Sequence, residues 1–185
     1  ALAPSGTRVL TGSRLDFTNT IFAGILLDLP LVPAGQLLPG ERVLTVDSGF
    51  VPVLGIERIV TPSRGSRAPV LLRAAYFGTP GDVLVSPDQP VCFAGPEAEY
   101  LFGEEEVLVP AGLLVDGQSA LAEGRRSVVS GVTLDFGGAE LVDLGGCTLC
   151  TAAPTGLSLP LRLLDRYEAI PLMAQLGRLP QRAVG

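Results

Sequence analysis

Histidine, tryptophan and lysine are absent from the 185 residues, and all 13 basic residues are arginine. Each absence excludes a class of chemistry. Without histidine there is no ordinary general base at neutral pH and no imidazole for a metal. Without lysine there is neither Schiff-base catalysis nor the phosphate-binding lysine of a P-loop. A net charge of −6 gives no basic stripe for a nucleic acid. Arg64, Arg67 and Arg73 are spread over a loop and a strand and read as solvated side chains. Cysteine is scarce and odd in number, with Cys147 and Cys150 in a Cys-Thr-Leu-Cys run and Cys92 far away. Three soft ligands fall short of a four-ligand zinc site. A redox pair would open a helix, whereas Gly145-Gly146 before the run and Thr-Ala-Ala-Pro after it mark the end of a strand. Buried thiols are therefore expected, with no metal and no cofactor. Long apolar runs are missing too. The stretch Ile21–Val32 carries Asp28 and is too short to span a bilayer, so it reads as a core strand pair with no transmembrane segment. Ala1–Gly12 lacks the basic start and apolar run of a secretory signal.

What is present is apolar and heavily punctuated. Hydrophobic residues make up 47% of the chain, enough for one compact domain that needs no staple. The 23 glycines and 16 prolines divide it into short runs rich in Val, Leu and Ile. Arg42–Val46, Val51–Ile56, Val70–Arg73, Asp82–Val85 and Val107–Val109 are such runs, and their close spacing predicts an all-β fold. Asp47-Ser-Gly49 falls between two of them and predicts a hairpin turn. Glu41-Arg-Val-Leu-Thr and Glu105-Glu-Val-Leu-Val form a faint internal echo, each starting a strand. The periodicity changes near the end, where Leu163, Leu164, Tyr167, Ile170 and Met173 recur at three- and four-residue steps. That stripe predicts an amphipathic helix over 161–176, begun by Pro160, stopped by Gly177 and kinked or divided by Pro171. It can dock on the chain's own core or on a protein partner. The final eight residues, with Pro180, are expected to be loose. Glu104-Glu-Glu106 reads as a solvated acidic loop, and Ser86, before a proline, has no histidine with which to build a triad.

Five segments in order resemble the Hedgehog/intein, or Hint, domain of bacterial type. They are Gly24-Ile-Leu-Leu, Pro39-Gly-Glu-Arg-Val-Leu-Thr-Val-Asp-Ser-Gly-Phe-Val-Pro-Val53, Pro69-Val-Leu-Leu-Arg73, Asp82-Val-Leu-Val-Ser-Pro87 and Glu105-Glu-Val-Leu-Val-Pro-Ala-Gly-Leu-Leu-Val115. The resemblance implies a flattened all-β domain of two intertwined, pseudo-symmetric halves. It would occupy residues 20–153, with 1–19 as an N-terminal extension and 154–185 as a helical tail. Members of the family cleave their own backbone. A Cys or Ser attacks the preceding carbonyl, a His in a Ser-Pro-x-His segment polarises the amide, and further His or Asp side chains assist.

Station by station, this sequence departs from that pattern. Thr20 stands where the nucleophile belongs, and its hydroxyl needs a base and is hindered. Gln89 stands where Ser86-Pro-Asp leads to the family's His, and an amide cannot shuttle a proton. At the later His-x-x-x-Asp-x-His station the chain reads Gly131, Asp135 and Gly137, so only the carboxylate is retained. The expectation is a scaffold that has kept its shape and lost its reaction, serving as a structural or protein-interaction module in a larger bacterial assembly or exported system. The alternative is residual self-processing through Thr20, with Asp135 and Cys147 or Cys150 in altered roles. By analogy with the family, an extracellular or particle-associated site is expected; the partner and oligomeric state are not legible.

Overall fold

The computed structural model describes residues 16–18, 34–124, 128–151 and 158–177. In chain order the described strands begin with β1 (Asp16–Thr18), β2 (Arg42–Thr45), β3 (Gly49–Pro52), β4 (Gly55–Pro62) and β5 (Val70–Leu72). After the short helix α1 (Ala74–Phe77) come β6 (Val83–Val85), β7 (Pro90–Ala94), helix α2 (Pro96–Phe102) and β8 (Glu106–Pro110). Then follow β9 (Ala120–Ala122), β10 (Val128–Asp135), β11 (Leu141–Asp143), β12 (Thr148–Cys150), β13 (Arg162–Leu163) and helix α3 (Arg166–Gln175). The fold is all-β in the expected sense, with three short helices attached to several small sheets.

The sheet orders are β1-β10-β4, β11-β12-β7-β8-β13, β2-β3 and β6-β5-β9. The eight-residue strands β4 and β10 come from opposite halves of the chain and pair antiparallel along their full length, from Val128↔Pro62 to Asp135↔Gly55. Their pairing ties the two halves together. The five-stranded sheet has an apolar layer on each face. Val91, Val107, Val109 and Leu149 face the main core, while Leu108 and Cys150 join Leu141 in a smaller cluster on the other side. A strand buried on both faces must be apolar at every position, which explains the unbroken Val-Leu-Val of β8. In β5 and β6, alternation puts Val70 opposite Val85 and Leu72 opposite Val83, all four fully buried. Each such side chain contributes about 1.5–3 kcal/mol by leaving water.

The predicted hairpin is present, with β2 and β3 in register from Arg42↔Pro52 to Thr45↔Gly49. The Thr45 hydroxyl ties the turn, donating to Gly49 O at 3.0 Å and accepting from Ser48 N at 3.2 Å. The two segments of the internal echo both become strands, β2 and β8, each starting one residue after the shared glutamate. Gly146 lies where the loop before β12 crosses the end of α1. A Cβ there would stand 2.6 Å from Gly78 O, so no side chain fits.

The end of the chain differs from the predicted single stripe. The helix starts at Arg166, not near Pro160, because Arg162–Leu163 are taken by β8 as a parallel strand. Asp165 then caps the helix, accepting from Tyr167 N and Glu168 N while its own N–H donates to Glu168 Oε2. Pro171 sits inside one continuous helix rather than dividing it. One proline removes a single N–H from the ladder, and docking against the core outweighs that loss. Leu164, Leu172 and Met173 enter the main core, whereas Leu163, Tyr167 and Ile170 stay exposed. The Ile21–Val32 strand pair expected from sequence and the final eight residues lie outside the described residues. Among the described residues no helix is long and apolar enough to cross a membrane.

Candidate functional site

The turn between β6 and β7 carries Ser86-Pro-Asp-Gln89, and its shape is fixed by backbone bonds. Gln89 N donates to Ser86 O at 3.0 Å, Gly112 N to Pro87 O at 2.7 Å and Ala111 N to Gln89 O at 2.8 Å. The 3-10 turn Ala111–Leu114 that follows β8 is therefore clamped onto it. Glycine at 112 permits this contact, since a Cβ there would meet Pro87 at 3.2 Å.

Gln89 itself is 6% exposed. Its Nε2 donates to Cys150 O at 2.6 Å and to Pro90 O at 3.2 Å. Both amide hydrogens are thereby spent on carbonyls, which fixes the orientation of the amide and leaves Oε1 without a donor among the described residues. The side chain bridges the turn to β12 across the sheet.

Gln89 forms part of a cleft of about 280 Å³ whose walls are mainly apolar. Ile59 of β4 and Gly131, Val132 and Thr133 of β10 form one side; Ser86, Asp88, Pro90, Thr151 and Leu159 complete it. Thr151 Oγ1 accepts from Glu140 N at 2.8 Å, which anchors the rim. The side chains of Ser86, Asp88 and Thr133 have no polar partner among the described residues.

Of the residues singled out from sequence, the fold brings Gln89 and Gly131 to this cleft and takes Asp135 and Gly137 away from it. Asp135 lies four residues further along β10, about 13 Å at the rise of a strand. Its Oδ1 accepts from Gly137 N at 2.7 Å, closing a turn over Leu54. Gly137 has φ +79°, and a Cβ there would meet Leu54 Cδ1 at 2.9 Å. Thr20 lies outside the described residues.

The cysteines divide by strand parity. Cys147 faces the main core and Cys150 the smaller cluster, so the Cys-Thr-Leu-Cys run points its thiols to opposite sides. Cys92, opposite Thr148 on β7, packs against Cys150's cluster. Burial, with the Glu106, Cys150 and Asp47 charges behind it, pushes the Cys92 thiol up to about 12. Burial and then Glu140 push Cys150 up to about 11. A thiol that holds its proton that far above neutrality is a poor nucleophile at neutral pH. Among the described residues no three His, Cys, Asp or Glu side chains gather as metal ligands would.

Sequence reasoning missed Ile59, Thr133, Thr151 and Leu159. Strand alternation from Gly131 would have given Thr133, but Ile59 reaches the cleft by pairing with Gly131 from a distant strand, and Thr151 and Leu159 reach it from irregular segments.

The family model of the Hint domain matches residues 29–151. No curated protein and no solved structure matches the chain.

Proposed function

The chain belongs to the Hint-domain family, and on that footing we propose that it is a non-catalytic member, a structural or protein-interaction module within a larger bacterial assembly or exported system. One observation carries this reading: Gln89, where the family's pattern has a histidine, spends both amide hydrogens on Cys150 O and Pro90 O. A group so committed cannot polarise a scissile amide or relay a proton. Among the described residues its surroundings offer no substitute. The whole sequence has no histidine, Asp135 is engaged in a turn, and Cys92 and Cys150 keep their protons at neutral pH. The exposed apolar side chains of the C-terminal segment, Leu163, Tyr167 and Ile170, are the part of the predicted stripe left for a protein partner; Leu164 and Met173 serve the core.

The test is chemical stability of the backbone. The full chain, incubated with dithiothreitol or hydroxylamine at neutral pH, is expected to keep a single intact mass. Fragments split near residue 20, and lost in Thr20→Ala, would establish residual self-processing instead.

A further inference from the structure

From the cleft between β4, β10 and the Ser86–Gln89 turn, we infer that it is a receptor for an arginine side chain of a partner protein. This names the partner chemistry for the binding role proposed above. Gln89, only 6% exposed, lines it, and its Oε1 is an acceptor without a donor among the described residues. A buried acceptor left unpaired is costly, so an occupant that supplies an N–H to it recovers that loss. Asp88 stands exposed at the rim and forms no ion pair among the described residues. Glu57, two positions from Ile59 on the same face of β4, adds a second carboxylate beside that rim. No cationic side chain lines the cleft among the described residues.

The occupant these features select has an apolar stem and a cationic head with several donors. Ile59, Val132, Pro90 and Leu159 supply the walls for the methylenes. Gln89 Oε1, the Thr133 and Ser86 hydroxyls and the Asp88 carboxylate offer acceptors in several directions. A guanidinium, with five N–H groups in a rigid fork and weaker hydration than an ammonium, matches that set better than lysine does. A volume of about 280 Å³ suits one long side chain rather than a cofactor. The net charge of −6 favours approach of a basic partner.

Titration of the isotope-labelled full chain with Nα-acetyl-arginine amide, followed by amide NMR shifts, tests this. Saturable shifts centred on Gln89 and Thr133 are expected, with Nα-acetyl-citrulline amide, the neutral isostere, binding about tenfold more weakly. Nα-acetyl-lysine amide is expected to fall between them. Asp88→Asn, at an exposed position, should weaken arginine binding about threefold and leave citrulline unchanged. Thr133→Val gives a second variant that does not disturb the buried Gln89 bonds. Absence of saturation, equal binding of arginine and citrulline, or lysine binding as tightly as arginine would overturn the assignment. Backbone cleavage under thiol together with saturable arginine binding would remove the non-catalytic reading and leave this one standing.

Discussion

β10 runs from a cleft beside Gly131 to a tight turn at Asp135, and the two regions are built differently. At the Gly131 end the strand borders a cleft lined by Gln89, Thr133 and Asp88, whose Oε1, Oγ1 and carboxylate have no partner among the described residues. At the other end Asp135 and Gly137 are bonded to each other, and Leu54 N donates to Asp135 O at 2.7 Å. The first arrangement is a surface with unused hydrogen-bonding capacity. The second is a turn that Asp135 Oδ1 closes on its own backbone. The strand therefore meets an open cleft at one end and a closed turn at the other.

The most severe way to challenge that contrast is to restore the family's residues. Gly137→His requires a side chain at φ +79° and within 2.9 Å of Leu54 Cδ1. It should lower stability by ~1–2 kcal/mol through left-handed backbone strain, the exposed Leu54 side chain swinging aside at little cost. A urea midpoint unchanged from the parent would mean that this end is as permissive as the cleft. Gln89→Leu tests the other end. It leaves Cys150 O and Pro90 O without their donor, and a cost of ~2 kcal/mol is expected from the orphaned carbonyls. If that variant were as stable as the parent, the amide would be a bystander rather than the link between the turn and β12.

Much of this organisation was legible because it is written in short-range pattern. Val-Leu-Val in β8, the alternating Val70 and Leu72, and the turn at 46–48 follow from apolar spacing and turn chemistry alone. The helix stop at Gly177 was legible for the same reason, but its start was not. Leu163 and Leu164 fit a helical stripe by spacing, while the fold uses Arg162–Leu163 to extend the β8 edge. A strand that exists only because a distant strand offers it hydrogen bonds leaves no local signature. The cleft follows the same logic. The Ser86–Gln89 turn was identifiable as a motif, whereas Ile59 and Thr151 approach it through the β4–β10 and β11–β12–β7 pairings, which are contacts between residues far apart in sequence.

The gentlest probe concerns the thiols behind the cleft. In the unfolded chain Cys92 and Cys150 titrate near 9.0, while in the folded protein they hold their protons to about 12 and about 11. Between those limits the unfolded state binds fewer protons than the folded one, so stability must fall as pH rises. Their contribution is fully present below pH 9.0 and is lost upward through about 11 to 12. Urea midpoints taken from pH 8 to 11 should therefore decline less steeply in a Cys92→Ser, Cys150→Ala double variant than in the parent. The readout is the slope, which separates proton linkage from whatever the lost packing costs at every pH. Parallel slopes would mean that the cysteines titrate alike folded and unfolded. The cleft end of β12 would then hold, beside Gln89, a thiol that ionises as readily as a free one, and the contrast between the two ends of β10 would have to be redrawn.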